Sequence, residues 1–298
     1  MNQFIVGIDI GGTTYSSTLF DEELNPVESS GKGLIESFNS TDHFLDGISN
    51  QINSLINKDR AGNIMGIGVS SPGPLDSKKG IILDTPNLDL LQNVALKAEL
   101  EKRCKLPVII DNDANLFAFG EWSLSGANDE VFGAITLGTG LGFGIIINRD
   151  IYRGAHGLAA EYAISPIDSG NWEEKVSIRA IKEIAKKYID VNDSLEPVDI
   201  FNKATNGDAG AIHAWDKFGE NLGLALSHFI NMIDPDKISI GGGMSGAYKF
   251  FESKMKETLS LHSPAYNNFN IDIFESKKKE LSAQLGAALL IKNYQKIL

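Results

Sequence analysis

Residues 4–20, FIVGIDIGGTTYSSTLF, have the pattern of a β-hairpin with a glycine-rich turn. The apolar run up to Asp9 predicts a first strand, and residues 14–20 predict a second one. Gly11, Gly12 and Thr13 stand between them and predict the turn. A further reversal of the chain is expected near Asn25-Pro26.

The same plan recurs at residues 131–148, VFGAITLGTGLGFGIIIN. A strand at 131–137 is followed by Gly138-Thr139-Gly140 and a second strand at 142–148. One device repeated about half a chain apart predicts two similar halves. Elsewhere, predicted strands at 64–70, 237–240 and before Asp111 alternate with helices at 41–57, near 93–102 and at 211–233. Further helix is expected after the glycines at 241–243, to the C-terminus. This alternation predicts an α/β fold.

Composition limits the partners and the compartment. The 298 residues carry a formal net charge of -12, which would repel a nucleic-acid backbone, so no nucleic-acid partner is expected. Cys104 is the single cysteine, which rules out an internal disulfide and any site built from several thiolates. The opening MNQFIVGIDI lacks a basic leader, and no apolar run is long enough to span a bilayer. We therefore expect a cytoplasmic protein with no membrane partner.

The glycine turns do not belong to the common nucleotide-binding motifs. A dinucleotide-binding loop requires a helix after its glycines, whereas β-branched Ile145-Ile146-Ile147 follows here, and no Walker sequence is present. Backbone N–H groups and hydroxyls in such turns can instead hold an anion. Two similar turns, with a third cluster at 241–243, favour a polyphosphate. The alternative is that the glycines only permit tight hairpins.

Polar side chains follow two of the predicted strands where each one ends. Asp9 ends the first strand, where it could bind Mg²⁺ beside phosphates or simply cap the turn. The stretch 106–122, LPVIIDNDANLFAFGEW, ends a strand at Asp111-Asn112-Asp113. Asn112 suits a polyhydroxylated ligand, and Asp113 can act as a general base. The structural alternative is an N-cap for the following helix, although one cap residue is enough for one helix.

Six motifs in this order resemble the ROK family of sugar kinases and repressors, within the actin-like, hexokinase-like ATPase superfamily. They are GIDIGGTT, GIGVSSPGPLD, NDAN…GEW, LGTGLGFGII, GAHGLAAE and ISIGGGMS, and they cover the chain from Gly7 to about Ala287. The resemblance implies two actin-like (ribonuclease H-like) α/β domains with a ligand cleft between them. We expect a smaller domain at 1–114, a larger one at 115–284, and a helix at about 285–298 that packs back on the first.

The resemblance also implies ATP and Mg²⁺ as cosubstrates, transfer of the γ-phosphoryl group to a hexose hydroxyl, usually the 6-OH, and a homodimer. Asp113 would be the catalytic base, and Asp9 would hold Mg²⁺. The positions that would bind the nucleotide are Asp9, Gly11, Gly12, Thr13, Thr14, Gly138, Thr139, Gly140, Gly242 and Gly243. Those that would line the sugar site are Gly73, Asn87, Asn112, Asp113 and Glu161.

The chain departs from the family after Glu161. A zinc-binding histidine and three cysteines are typical there, but Ile164 stands at the histidine position and the region has no cysteine. We therefore expect no zinc, because the thiolates are missing. Packing, with Trp172 as an anchor, would have to hold the loop at 165–172. Glu173 resembles a family glutamate and is expected to reach the sugar, although it could instead be a solvated helix residue.

Three hypotheses remain open at this point. The first is an ATP-dependent kinase of glucose, fructose or an N-acylhexosamine. The second is a sugar sensor like the family's repressors, which carry a DNA-binding domain before the first glycine hairpin; here Asp9 comes almost at once. The third is a degenerate kinase that still binds its ligands. Retention of Asp9, Asn112, Asp113 and Glu161 favours the first.

Overall fold

A computed structural model describes residues 3–56, 63–85, 88–190, 195–278 and 280–295. The chain divides into two compact units. Unit 1 comprises Met1–Ala127, Ile151–Ala159 and Lys278–Leu298, and unit 2 comprises Asn128–Asp150 and Ala160–Lys277. Each unit is a mixed five-stranded sheet with helices packed on it. The predicted α/β fold is confirmed.

The sheet of unit 1 contains the first predicted hairpin. Its strands are β1 (Phe4–Ile10), β2 (Thr14–Asp21), β3 (Pro26–Leu34), β4 (Ile64–Ser71) and β7 (Val108–Asn112), in the order β3-β2-β1-β4-β7. A small ribbon, β5 (Leu75–Asp76) and β6 (Ile81–Ile82), lies between β4 and β7 in the chain. The helices are α1 (Thr41–Leu55), α2 (Leu96–Cys104), α3 (Asp113–Leu124) and α9 (Glu280–Gln295). Strands β1, β4 and β7 are parallel, so their carboxyl ends meet at one edge of the sheet.

Alternating side chains bury both faces of this sheet. Val6, Ile8 and Ile10 of β1 belong to the core that contains the apolar residues of α1 and α2. Ile5 faces the other way and packs with Leu285 and other residues of α9. Such a period of two is expected of a strand covered on both sides.

Small residues let α9 lie very close to its neighbours. A Cβ added at Gly7 would overlap the backbone oxygen of Gln284, and one at Gly68 would overlap that of Ala287. Between α3 and α9 the contact is reciprocal, because a Cβ at Gly120 or at Gly286 would overlap backbone of the opposite helix. Residues 113–127 therefore belong to unit 1. The domain boundary expected after residue 114 differs from the one in the structure, where the first segment of unit 1 ends at Ala127.

Unit 2 repeats the plan of hairpin plus parallel strand. Its sheet has the order β10-β9-β8-β11-β12, formed by β8 (Val131–Leu137), β9 (Leu141–Ile147), β10 (Asp150–Ile151), β11 (Lys237–Gly241) and β12 (Asp272–Glu275). Its helices are α4 (Ile178–Ala185), α5 (Pro197–Thr205), α6 (Ala209–Ile233), α7 (Tyr248–His262) and α8 (Pro264–Phe269). The helix predicted at 211–233 is confirmed as α6, and its Trp215, Phe218 and Leu222 side chains are buried.

The further helix expected after β11 forms, but not without a break. Strand β12 interrupts it and pairs in parallel with β11, with Lys237 opposite Asp272. Only four residues long, DIFE, the strand is too short for its alternation to stand out in the sequence. No helix among the described residues is both long and apolar enough to cross a membrane.

Candidate active site

Three polar side chains lie in a row where the parallel strands of unit 1 end. Asp9 of β1 is opposite Ser70 of β4, and Ser70 is opposite Asp111 of β7. The Ser70 hydroxyl donates a hydrogen bond to Asp9 Oδ1 at 2.6 Å. Ser70 and Asp111 are buried, whereas Asp9 is half-buried. A buried donor therefore fixes the orientation of the Asp9 carboxylate.

Asp111 has a structural role at the end of β7. Its Oδ2 accepts a hydrogen bond from Arg153 Nε at 2.6 Å, and its Oδ1 accepts from Asn115 Nδ2 at 3.1 Å and from the Asn112 backbone at 2.8 Å. The Asp111 side chain is 3% exposed, and that of Arg153 is 25% exposed. A buried carboxylate needs such partners, so this ion pair fixes the end of the strand.

Asn112 performs the capping role considered from the sequence. Its Oδ1 accepts from the backbone N–H groups of Ala114, at 3.0 Å, and Asn115, at 3.3 Å, at the start of α3. The amide nitrogen therefore points the other way, and a Cβ added at Gly73 would lie 3.1 Å from it. A Gly73 side chain would crowd this amide, so the structure brings these two predicted sugar-site residues together.

Asp113 is the first residue of α3 and is half-buried. Its Oδ1 accepts a hydrogen bond from the Ala114 N–H at 2.8 Å. The N-terminal end of a helix carries partial positive charge and favours the ionised carboxylate. Asn87, another predicted sugar-site residue, lies outside the described residues.

The first glycine turn joins β1 to β2. Gly11 N–H donates to Thr14 O at 2.8 Å, and Thr13 O accepts from Ile35 N–H at 2.9 Å. Gly12 and Thr13 are exposed, while Gly11 and Thr14 are half-buried. The turn is thus fixed at both ends, and its middle faces solvent.

The second turn, at 138–140, lies beside the glycines that follow β11. Gly242 has φ +84°, and a Cβ there would overlap the backbone of Leu137, the residue before the turn. Met244 N–H also donates to Leu137 O at 3.1 Å. Thr139 and Gly243 are exposed. Unit 2 therefore brings these two predicted nucleotide-binding segments together at one edge of its sheet.

Glu173 contacts this second turn directly. Its Oε2 accepts a hydrogen bond from Leu141 N–H at 3.1 Å, and a Cβ at Gly140 would lie 2.5 Å from the same oxygen. Four residues after Glu173, Ser177 caps α4, and the next residue, Ile178, donates its N–H to Gly138 O at 2.9 Å. The segment at 173–178 thus holds the turn on both sides, and Glu173 is not a solvated helix residue.

Glu161 begins a short 3₁₀ helix, Glu161–Ile164, and is exposed. The surrounding protein partly desolvates its carboxylate and raises its pKa, and the negative charge of Glu173 raises it further. The two glutamates are therefore close enough to interact electrostatically. Both were predicted to line the sugar site.

Packing holds the loop at 165–172. Trp172 is buried, with its ring perpendicular to that of His228 at 5.3 Å between centroids. Ile167 N–H donates to Gly170 O at 3.0 Å inside the loop. Ile164, which stands at the expected histidine position, is 61% exposed and therefore does not contribute to the core that holds this loop. Within the described ranges, no group of three or more His, Cys, Asp or Glu side chains could hold a metal.

Sequence reasoning missed two polar partners in unit 1. Arg153 neutralises Asp111, and Ser70 orients Asp9. A carboxylate at the end of an apolar strand signals that a buried counter-charge is needed. This signal does not show that a cation more than forty positions away supplies the counter-charge, because the pairing depends on the return of 151–159 to unit 1.

Comparisons with known proteins show which family this chain resembles. The model of the ROK family matches residues 5–294. A glucokinase of Halalkalibacterium halodurans is 31% identical over 83% of this chain and 82% of its own length. A crystal structure of a ROK family glucokinase from Streptomyces griseus, in complex with glucose and AMPPNP, superposes with a TM-score of 0.82 at 25% identity, covering 96% of this chain and 98% of that one.

Regulators are similar as well. A xylose repressor of Caldicellulosiruptor bescii is 30% identical over 76% of this chain, which covers 62% of the repressor. This chain is thus similar both to kinases and to a protein whose name indicates regulation, so family membership alone does not establish catalysis. With two five-stranded sheets of the actin-like type and a family match over nearly its whole length, the chain belongs to the ROK family.

Proposed function

We propose that this protein is an ATP-dependent sugar kinase that transfers the γ-phosphoryl group of ATP to a hexose hydroxyl, most simply the 6-OH of glucose, fructose or an N-acylhexosamine. The observation that carries the proposal is the placement of Asn112 and Asp113 at the end of β7 and the start of α3. Similarity to glucokinases, one of them bound to glucose and AMPPNP, supports it.

In this proposal, Asp113 orients the acceptor hydroxyl and takes its proton. Phosphoryl transfer has a loose transition state, so the proton leaves late and little covalent work falls to the base. The Ala114 N–H holds Asp113 Oδ1 in a fixed direction. Asn112 Nδ2 would donate to a neighbouring sugar hydroxyl, because its Oδ1 is already used by the helix N-terminus.

The glycine turns would bind the nucleotide. Exposed residues at 12–13 and at 139 belong to turns whose ends are fixed by backbone hydrogen bonds, so little ordering is needed when phosphates bind. Gly242 and Gly243 would lie by the adenosine. Glu161 and Glu173 would accept hydrogen bonds from sugar hydroxyls, with Glu173 also holding the second turn.

The donor set fits Mg²⁺ bound together with ATP. Mg²⁺ needs few protein ligands when phosphates supply the others, and the Asp9 carboxylate at the end of β1 provides one. Ser70 would keep that carboxylate oriented. When bound, the ion supplies charge neutralisation for the phosphates.

A coupled ADP-release assay over a panel of hexoses with Mg-ATP tests the proposal. We expect turnover with at least one hexose, and Asp113→Ala to lower kcat by about 10²–10⁴-fold while the sugar is still bound, because only proton transfer is lost. Calorimetric titration with the sugar separates the two effects. Flat traces for every hexose, from protein shown to be folded, would refute kinase activity.

The alternative is a sugar-binding sensor without turnover, which the similarity to xylose repressors favours. It predicts that the same panel gives calorimetric binding to a sugar but no ADP. Retention of Asp9 and Asp113 argues for catalysis, because a sensor needs no base. A homodimer is also proposed, to be checked by light scattering.

A further inference from the structure

We propose that unit 1 has a second binding site, for a small phosphate-bearing anion, in a depression beside β2, β3 and the first turns of α9. Its volume of about 500 Å³ lies within the range of ~300–1,000 Å³ typical of small-ligand sites. Residues that line it include Ser16, Thr18, Ser29, Lys32, Lys278 and Gln284. None of these belongs to the proposed active site.

The hydrogen bonds around Gln284 set the polarity of this depression. Thr18 Oγ1 donates to Gln284 Oε1 at 2.6 Å, and Gln284 Nε2 donates to Ser16 Oγ at 2.7 Å. Thr18 and Gln284 are buried, so neither can rotate freely. Ser16 Oγ is an acceptor in this bond, and its own O–H must therefore donate elsewhere.

No acceptor for the Ser16 proton lies among the residues that the structure describes. Ser16 is half-buried and lines the depression. Its hydroxyl is thus a donor offered to a ligand. The Thr18–Gln284 bond already joins β2 to α9, so the packing of α9 does not require the Ser16 hydroxyl.

The charge of the depression has the sign that an anion requires. Lys32 and Lys278 are the charged residues among its described lining, in a chain with a formal net charge of -12. Leu281, in the first turn of the 16-residue helix α9, is also part of the lining. A helix N-terminus adds partial positive charge and N–H donors. Two ammonium groups, a hydroxyl donor and a helix terminus together match a phosphate monoester better than a neutral sugar.

Ser29 can extend recognition beyond the phosphate. Its hydroxyl lies 2.8 Å from Thr18 Oγ1, whose proton goes to Gln284, so Ser29 donates to Thr18 and keeps lone pairs to accept from a ligand hydroxyl. The chain re-enters unit 1 at Lys278. A ligand bound there would contact both β2 and α9.

The test is a titration of ¹⁵N-labelled protein with inorganic phosphate, with glucose 6-phosphate and, as a neutral control, with glucose. We expect both phosphates to shift the amides of Ser16, Lys32 and Lys278 saturably. The double variant Lys32→Gln/Lys278→Gln should bind about tenfold more weakly, because two charge-assisted contacts are lost. Lys277→Gln is the matched control, since it removes the same charge one residue away from the lining.

Ser16→Ala adds a variant that keeps both charges and should weaken binding by a few-fold, as expected for one lost hydrogen bond. Circular dichroism establishes that each variant is folded. Shifts confined to the glycine turns at 11–14 or 138–140, equal affinity in all variants, or no saturation by about 10 mM phosphate would overturn the inference. The kinase assay is independent of this result, so an inactive protein would leave the site intact.

Discussion

Replacing Arg153 with methionine should destabilise unit 1 strongly. The change keeps most of the apolar stem but removes the guanidinium that lies 2.6 Å from Asp111 Oδ2. Asp111 is then left as a buried carboxylate with only amide donors, from Asn115 and its own strand end. Breaking a buried ion pair from one side costs about 3–5 kcal/mol. Because Arg153 is 25% exposed, we expect a value near ~3 kcal/mol.

Urea unfolding followed by tryptophan fluorescence can measure this loss. Trp122 reports on unit 1, whereas Trp172 and Trp215 lie in unit 2, so single-tryptophan backgrounds separate the two transitions. The double variant Asp111→Asn/Arg153→Met should recover part of the loss, since no unpaired charge stays buried. Arg179→Met is the control, because its ion pair with Glu174 is exposed and long, at 3.8 Å, and should contribute less than about 0.5 kcal/mol.

The reasoning fails if Arg153→Met lowers the free energy of unfolding of unit 1 by less than about 1 kcal/mol. It also fails if the double variant is as unstable as the single one. Either result would mean that Asp111 is solvated or otherwise neutralised. In that case Arg153 would not be what fixes the end of β7.

In chemical unfolding, Gly242→Ala should lower the free energy of unfolding by about 2–4 kcal/mol, because it adds a Cβ at φ +84° against the Leu137 backbone. Gly243→Ala is the control: its Cβ would meet no atom within 4 Å, so it should leave the free energy of unfolding nearly unchanged. Glu173→Ala should speed amide exchange at Leu141 by about tenfold while Glu173→Gln, which keeps an acceptor, should not; equal rates would contradict the proposed contact. The pKa of Glu161 is raised in the folded protein, which means that its ionised form is less favourable there than in the unfolded chain. Ionisation therefore lowers the free energy of unfolding; this loss is absent below the ordinary pKa of 4.5 and develops as pH rises through the raised pKa. Glu161→Gln should therefore raise the melting temperature at pH 7 but not at pH 3.5, and the opposite trend would refute the assigned direction.

The sequence predicted the repeated hairpins well because each is a local pattern. Residues 4–20 and 131–148 contain both strands and the turn, and the strands form where expected. The cap at Asn112 was also readable, since a cap and its helix are neighbours in the chain. Local hydrogen-bonding preferences were sufficient for these elements.

Features that depend on distant segments were not predictable. Arg153 reaches Asp111 only because 151–159 returns to unit 1, and the contact of Glu173 with the turn at 138–140 was not predicted. Strand β12 needs β11 as a partner before its four residues have a reason to be extended. A periodicity read along the chain contains no information about such pairings.

The position of α9 in the chain has a consequence for biosynthesis. A ribosome completes residues 128–277 before residues 280–295 emerge, yet one face of the first sheet is covered by that last helix, which lies against the glycines at 7 and 68. Until residues 280–295 emerge, the face of the first sheet that α9 covers is therefore exposed, although all residues of unit 2 have already been synthesised. Chaperone capture of nascent chains should consequently be strongest for those stalled before residue 280.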